Sequence, residues 1–370
     1  MRHLFVDISA HGLGHLAQTA PILDALHQST TDLRLTVRSG LAPEKIKARI
    51  AAPFEFIAGE PDFGFVMRDA LSIDLALSAQ RYRERHEAWR HTVARETAFL
   101  KGQGVDLVFS NVAYLPLAGA AQAGIPAVAM CSLNWADLFA HYFGKEDWAA
   151  AIHADMTSAY ASAKAFLRVT PGMPMSTLDR LRIVGPIAQV MAPQRAALAG
   201  RLGLSAADRW VLIGLGGIEH RLPVARWPRL PGLVWLVPKH WEVVREDMCS
   251  YGQDLSFAEL LASADALITK TGYGSFVEAS CHGVPILYLP RPDWTEETSL
   301  VEWLGHNNRY ATLSPAEADS GGFIERLEQI WRANPPPRPS PSGIRQVCDY
   351  LAGLLTIGHQ AGDQAKEARD

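Results

Sequence analysis

"ADALITKTGYGSFVEASCHGVPILYLPR", residues 264–291, decides how the chain is built. An apolar run ends at Lys270. The turn Gly272-Tyr273-Gly274-Ser275 opens a helix-like stretch, and a second apolar run follows. Strand, helix and strand in so short a span make the βαβ unit of a parallel sheet. Its turn also carries chemistry. Glycines let backbone N–H groups approach an anion, and a helix N-terminus adds partial positive charge. Ser275 offers a hydroxyl and Lys270 a full charge. Glu278, one helical turn beyond Ser275, is placed to accept from the two hydroxyls of a ribose. The spacing matches neither the G-K-[ST] of a P-loop nor G-x-G-x-x-G. The competing interpretation is an ordinary strand-to-helix turn with a solvated glutamate.

The same pattern runs along the chain. "HLFVDIS" (3–9), "DLRLTVRSG" (32–40), "VDLVFSN" (105–111), "IPAVAMCS" (125–132) and "AFLRVTP" (165–171) are expected strands. "WVLIGLGG" (210–217), "GLVWLVPK" (232–239), "ADALITKTG" (264–272) and "VPILYLPRP" (284–292) continue the series. Helical patterns alternate with them, including a single long helix over 78–104. The fold class is therefore α/β, with two Rossmann-like domains. The expected boundaries are a first domain over 1–185, a linker without a strong strand over 186–208, and a second domain over 209–345. A helix over 344–357 is expected to pack on the first domain, and 358–370 to form a flexible tail.

Composition narrows the class. The chain has 370 residues, a net charge of −4 and 48% hydrophobic residues, a globular make-up that does not suggest a nucleic-acid partner. Its four cysteines show no metal-ligand spacing and are expected as buried thiols of a reducing compartment. No signal peptide is visible, and no run reaches the ~20 apolar residues that span a bilayer. A cytoplasmic location is expected. A peripheral membrane contact is compatible with the sequence and not indicated by it.

Other motifs stand at strand ends. "LIGLGGIEH" (212–220) places Gly214, Gly216 and Gly217 after a strand. "HGLGH" (11–15) sets His11 and His15 around a glycine loop that suits a phosphate cradle, a catalytic loop or a tight turn. "SLNWADLFAHYF" (132–143) carries Asn134, Trp135 and Asp137. "PKHWE" (238–242) offers Lys239 and His240. The Arg- and His-rich "QRYRERHEAWRHTVARE" (80–96) is taken as a solvated helix face in preference to a contact for an anionic or lipid-linked acceptor.

"KTGYGSFVEA" (270–279), "HGLGH" and the Trp-Asp loop together resemble GT-B glycosyltransferases. The second half is similar to the donor domain of the peptidoglycan N-acetylglucosaminyltransferase, and most of 1–310 to the glycosyltransferase-like N-terminal part of L-arabinokinases. No sugar-kinase domain is expected within these 370 residues, so sugar phosphorylation is not carried over. The resemblance implies two domains facing across a cleft and a hexosyl- or N-acetylhexosaminyltransferase using a nucleotide-diphosphate sugar, with UDP favoured. It implies an inverting, metal-independent reaction with no cofactor, and leaves the acceptor unknown. Inverting transfer needs a base for the acceptor hydroxyl. His15 is the first candidate, His11 the second and Asp137 a rival. Nucleotide binding falls to Gly216, Gly217, Lys270, Gly272, Tyr273, Gly274, Ser275 and Glu278, with Ser256 and Phe257 beside the base. Donor-sugar or acceptor contacts fall to Glu296, Glu297, Asn134 and Trp135. The loop 290–300 has acids where GT-B donor domains often have Gln and Asn, or Asp and Gln. A nucleotide-sugar hydrolase or epimerase on the same fold, or a non-catalytic nucleotide-sugar-binding module, are the alternatives.

Overall fold

The computed structural model describes residues 2–218, 220–252 and 255–367, and only the backbone of 357–367. The chain divides into two compact units. One comprises Met1–Val66, Ile73–Ile187 and Ser342–Asp370, the other Met67–Ser72 and Ala188–Pro341.

The first unit runs β1 (Arg2–Ile8), α1 (Leu13–Ser29), β2 (Leu33–Ser39), α2 (Pro43–Lys47), β3 (Glu55–Ala58), α3 (Leu75–Glu87), α4 (Trp89–Gln103) and β4 (Leu107–Asn111). It continues through α5 (Leu115–Ala123), β5 (Ala127–Cys131), α6 (Trp135–Phe143), α7 (Ala149–Ser162), β6 (Phe166–Val169) and β7 (Leu181–Val184). The strands form one seven-stranded sheet in the order β3-β2-β1-β4-β5-β6-β7. Every pair is parallel. The central strands are mainly apolar because helices cover both faces; Leu4, Phe5, Val6 and Ile8 are fully buried.

The second unit runs α8 (Arg195–Leu202), β8 (Arg209–Ile213), β9 (Leu233–Pro238), β10 (Met248–Tyr251), α9 (Phe257–Ser263), β11 (Ala266–Lys270) and α10 (Tyr273–His282). Then come β12 (Ile286–Leu289), α11 (Glu297–Asn307), β13 (Tyr310–Thr312), α12 (Pro315–Ser320) and α13 (Ile324–Arg332). Its six-stranded parallel sheet has the order β10-β9-β8-β11-β12-β13. Trp227, Trp235 and Phe323 meet edge to face in its core, with centroids 4.8–6.0 Å apart.

The last helix, α14 (Gly343–Glu367), belongs to the first unit. The Cys348 thiol donates to the Ile22 carbonyl of α1 at 3.4 Å, and the Gly185 amide donates to Gln346 at 2.7 Å. Residues 358–367, expected in a tail, continue its backbone, and 368–370 lie outside the described residues.

The expected linker follows directly on β7; from Ala188 it groups with the second unit, and it carries the one short helix expected there, α8. Two expectations need correction. The single long helix is two, α3 and α4, parted at Ala88 with φ −113° and ψ 33°. Finally, four strands went unanticipated: β3, β7, β10 and β13. They are the four edge strands of the two sheets. An edge strand has a neighbour on one side only, so it is short and lacks the continuous apolar run that marks a central strand. In β7, Ile183 is 64% exposed.

Candidate functional site

Parallel strands deliver their C-terminal ends to one edge of a sheet, where the connecting loops gather binding groups. In the first unit, β1 leads into the loop of His11 and His15. His15 is on α1 and 7% exposed. Its Nδ1 lies 2.9 Å from Asn111 Oδ1, at the end of the neighbouring β4. The Asn111 amide nitrogen donates to the His15 carbonyl, Gln18 Oε1 and Thr19 Oγ1 at 3.0–3.3 Å. These acceptors orient the amide, so Oδ1 must face His15 and accept from it. The proton therefore sits on Nδ1, and Nε2 is the basic nitrogen. Cys131 Sγ lies 3.6 Å from the same Nδ1.

Trp135 closes on both histidines. Its ring centroid is 5.2 Å from that of His11 and 5.7 Å from that of His15. The indole N–H donates to Asp62 Oδ2 at 2.5 Å. Asp62 is 2% exposed; burial raises its pKa against the opposing Trp135 hydrogen bond. Gly64 lets the rings meet. Its φ is +59°, and a Cβ there would lie 2.7 Å from Trp135 and 2.8 Å from His11. Asn134 caps α6, its Oδ1 accepting from the Asp137 amide at 2.8 Å. Asp137 is half-buried in the first turn of that helix and accepts from the Thr177 hydroxyl at 3.1 Å. Asp62 and Asn111 were missed by sequence reasoning, since neither stands in a motif.

In the second unit, β8 and β11 are neighbours, so their glycine-bearing ends come together. The Lys270 side chain runs beside Gly216. Its Cε lies 3.6 Å and its Nζ 3.9 Å from the point a Cβ on that glycine would occupy. Gly216 has φ +87°, a conformation that glycine adopts without steric cost. The Phe257 ring lies 2.6 Å from the corresponding point on Gly214. Ser256, exposed, precedes it as the N-cap of α9, and its amide donates to Glu259 at 3.3 Å. Gly217 is exposed beyond Gly216. Gly272 opens α10; Tyr273, Gly274 and Glu278 are buried and Ser275 is partly exposed. Glu278 is thus not the solvated glutamate of the competing interpretation.

Lys270 has no ion-pair partner among the described residues. Its residue surface is partly open, yet dense packing around the amine pulls its pKa down to about 7; Arg291 adds to this and Glu296 opposes it. Arg291, at the end of the adjacent β12, is 5% exposed and its guanidinium carbon lies 4.4 Å from the Trp294 ring centroid. It is the cation that sequence reasoning missed; its signal was its place immediately after a strand. Glu296 is 5% exposed, and its Oε2 accepts from the Trp294 indole at 3.0 Å. Glu297 accepts from the Thr271 hydroxyl at 2.6 Å and from the Arg291 amide. Lys239 and His240 are exposed on a 3-10 turn. Among the described residues no group of three or more His, Cys, Asp or Glu could hold a metal ion, and no helix is long and apolar enough to cross a membrane.

Comparison with solved structures settles the architecture. The calicheamicin glycosyltransferase CalG4 matches with a TM-score of 0.55 at 15% identity, over 99% of this chain and 98% of that one. The chain has the GT-B glycosyltransferase fold. Other GT-B matches include Phytolacca americana UGT2 complexed with UDP-2-fluoro-glucose and pterostilbene, with a TM-score of 0.55 at 13% identity over 96% of this chain and 94% of that one. A UDP-N-acetylglucosamine 2-epimerase described as putative, from Listeria monocytogenes, matches with a TM-score of 0.53 at 13% identity, over 97% of each chain. Identities this low establish the fold alone. The L-arabinokinase of Arabidopsis thaliana is 22% identical over 372 residues, 98% of this chain and 35% of that protein. The chain thus spans about a third of the length of that curated relative. No protein-family model matches the chain.

Proposed function

We propose that this GT-B chain transfers a sugar from a nucleoside diphosphate donor, UDP-linked by preference, to an acceptor hydroxyl. The observation that carries this reading is the gathering of Gly214, Gly216, Lys270 and the α10 N-terminus at one edge of the second unit's sheet. Helix N-termini and a lysine suit a diphosphate, and the UDP-2-fluoro-glucose bound by the similarly folded Phytolacca americana UGT2 agrees in chemistry.

In this mechanism His15 Nε2 takes the proton of the acceptor hydroxyl as its oxygen attacks the anomeric carbon. The bond from that carbon to the diphosphate oxygen breaks, and the electron pair leaves with the diphosphate. Lys270, Arg291 and the first amides of α10 stabilise that negative charge. Asn111 holds the His15 proton on Nδ1 throughout. Attack opposite the leaving group inverts the anomeric centre. Charge neutralisation by side chains and amides makes a metal unnecessary, so turnover should persist in EDTA. His11 and Trp135 form the wall against which His15 is set.

A thermal-shift screen of UDP, thymidine diphosphate, GDP and their sugars tests the donor site. A ligand at a hundred times its Kd adds about 2.7 kcal/mol of stability. No shift from any of them would sink the reading. The epimerase match favours a second reading, in which the same donor pocket serves a nucleotide-sugar epimerase or hydrolase. Product analysis of labelled UDP-sugars with and without a panel of hydroxyl acceptors separates the two.

A further inference from the structure

Glu296 and Glu297 stand side by side at the start of α11, and the sequence treats them alike as sugar or acceptor contacts. The structure separates them. One oxygen of Glu297, Oε2, accepts both the Thr271 hydroxyl at 2.6 Å and the Arg291 amide. Thr271 is fully buried and immediately precedes Gly272, the N-cap of α10. Its own amide donates to the Leu289 carbonyl of β12 at 3.1 Å. Arg291 heads the loop that carries Trp294 and Glu296. The Glu297 carboxylate therefore joins the entry of α10 to the start of the 291–296 loop.

We propose that Glu297 is a positioning residue that holds the diphosphate turn and the 291–296 loop in one arrangement, and does not itself touch the donor. The inference rests on the nucleotide-sugar reading and adds a residue role to it. Glu297 Oε2 is occupied by two protein donors, so a sugar hydroxyl reaching that oxygen would have to displace one of them. Hydrogen bonds to a charged acceptor are the stronger kind, and removing the acceptor leaves the buried Thr271 hydroxyl without its short partner. The turn then loses the restraint on which anion binding depends. Glutamine at this position keeps an acceptor oxygen on a side chain of the same length.

The test is calorimetric titration of the full chain with UDP and with thymidine diphosphate, on wild type, Glu297→Gln, Glu297→Ala and Thr271→Val. Positioning predicts that Glu297→Gln keeps the affinity within about threefold, that Glu297→Ala loses about tenfold or more, and that Thr271→Val loses an intermediate amount. Thr271→Val keeps the shape of the side chain and removes one arm of the link, so it remains informative if Glu297→Ala fails to fold. Equal losses in Glu297→Gln and Glu297→Ala with wild-type affinity in Thr271→Val would mean direct contact and overturn the proposal. So would unchanged affinity in all three. If wild type bound neither nucleotide, the donor reading itself would fall, and this inference with it.

Discussion

Asn111 accepts the Nδ1 proton of His15 at 2.9 Å, and three acceptors on its own amide nitrogen keep it from turning round. That relationship supports the order in which the sequence ranks the two histidines, His15 before His11. His15→Ala should lower turnover of a nucleotide sugar by about 10²–10⁴, the usual contribution of a general base, while UDP affinity stays unchanged. His11→Ala should retain more of the rate. The opposite ranking in steady-state assays would remove His15 from the role.

Asn111→Asp tests the tautomer directly. A carboxylate facing Nδ1 favours the charged imidazolium, so the acidic limb of kcat/KM against pH, where the base becomes protonated, should move up. Asn111→Leu removes the acceptor, and the rate should fall toward that of His15→Ala. A pH–rate profile identical to wild type in both variants would show that Asn111 does not set the proton on His15.

Lys270 makes nucleotide binding pH-dependent. Burial, with Arg291 adding to it, holds its pKa near about 7, against 10.5 for an ordinary lysine. A bound diphosphate favours the ammonium, so binding above pH 7 takes up a proton, and affinity should fall by up to about tenfold per pH unit. Lys270→Arg keeps its charge and should flatten that slope. Titrations at pH 7 and 9, in buffers of different ionisation enthalpy, read both quantities.

The same group has a stability signature. The folded state binds the Lys270 proton more weakly than the unfolded chain does. Its contribution to stability is complete above about 10.5, shrinks as pH falls toward about 7, and is constant below that. Lys270→Met should therefore melt above wild type at pH 7, by about 2–4 °C for each kcal/mol gained, and the gap should close near pH 10.5. Higher stability with lost nucleotide binding is the expected trade at a functional position.

The first unit depends on a buried ion cluster. Arg38 donates to Asp7 at 2.6 and 2.9 Å and to both Glu96 oxygens at 2.5 and 3.0 Å. Arg38→Met leaves two buried carboxylates without their cation and should cost about 3–5 kcal/mol in denaturant titration. Gly64→Ala places a methyl group against Trp135 and His11 at a positive φ. It should lose about 1–2 kcal/mol from backbone strain alone, with turnover falling as the rings shift.

The sequence by itself determined what local order can encode. Apolar runs marked the nine strands that lie inside the two sheets, because a strand flanked and covered on all sides is mainly apolar. Glycine turns before helices marked the strand ends that carry Lys270 and His15. The four edge strands escaped because solvent on one side relaxes that pattern. Only the tertiary structure decided the partners. Asn111 lies 96 positions from His15, and Trp135 lies 73 from Asp62. Such pairs arise from sheet order and leave no mark in nearby sequence. The same holds at close range for Glu296 and Glu297. Neighbouring residues on a helix point about 100° apart, so one side chain meets Trp294 and the other ties Thr271 to Arg291. No feature of "WTEET" says which is which until the surrounding strands are in place.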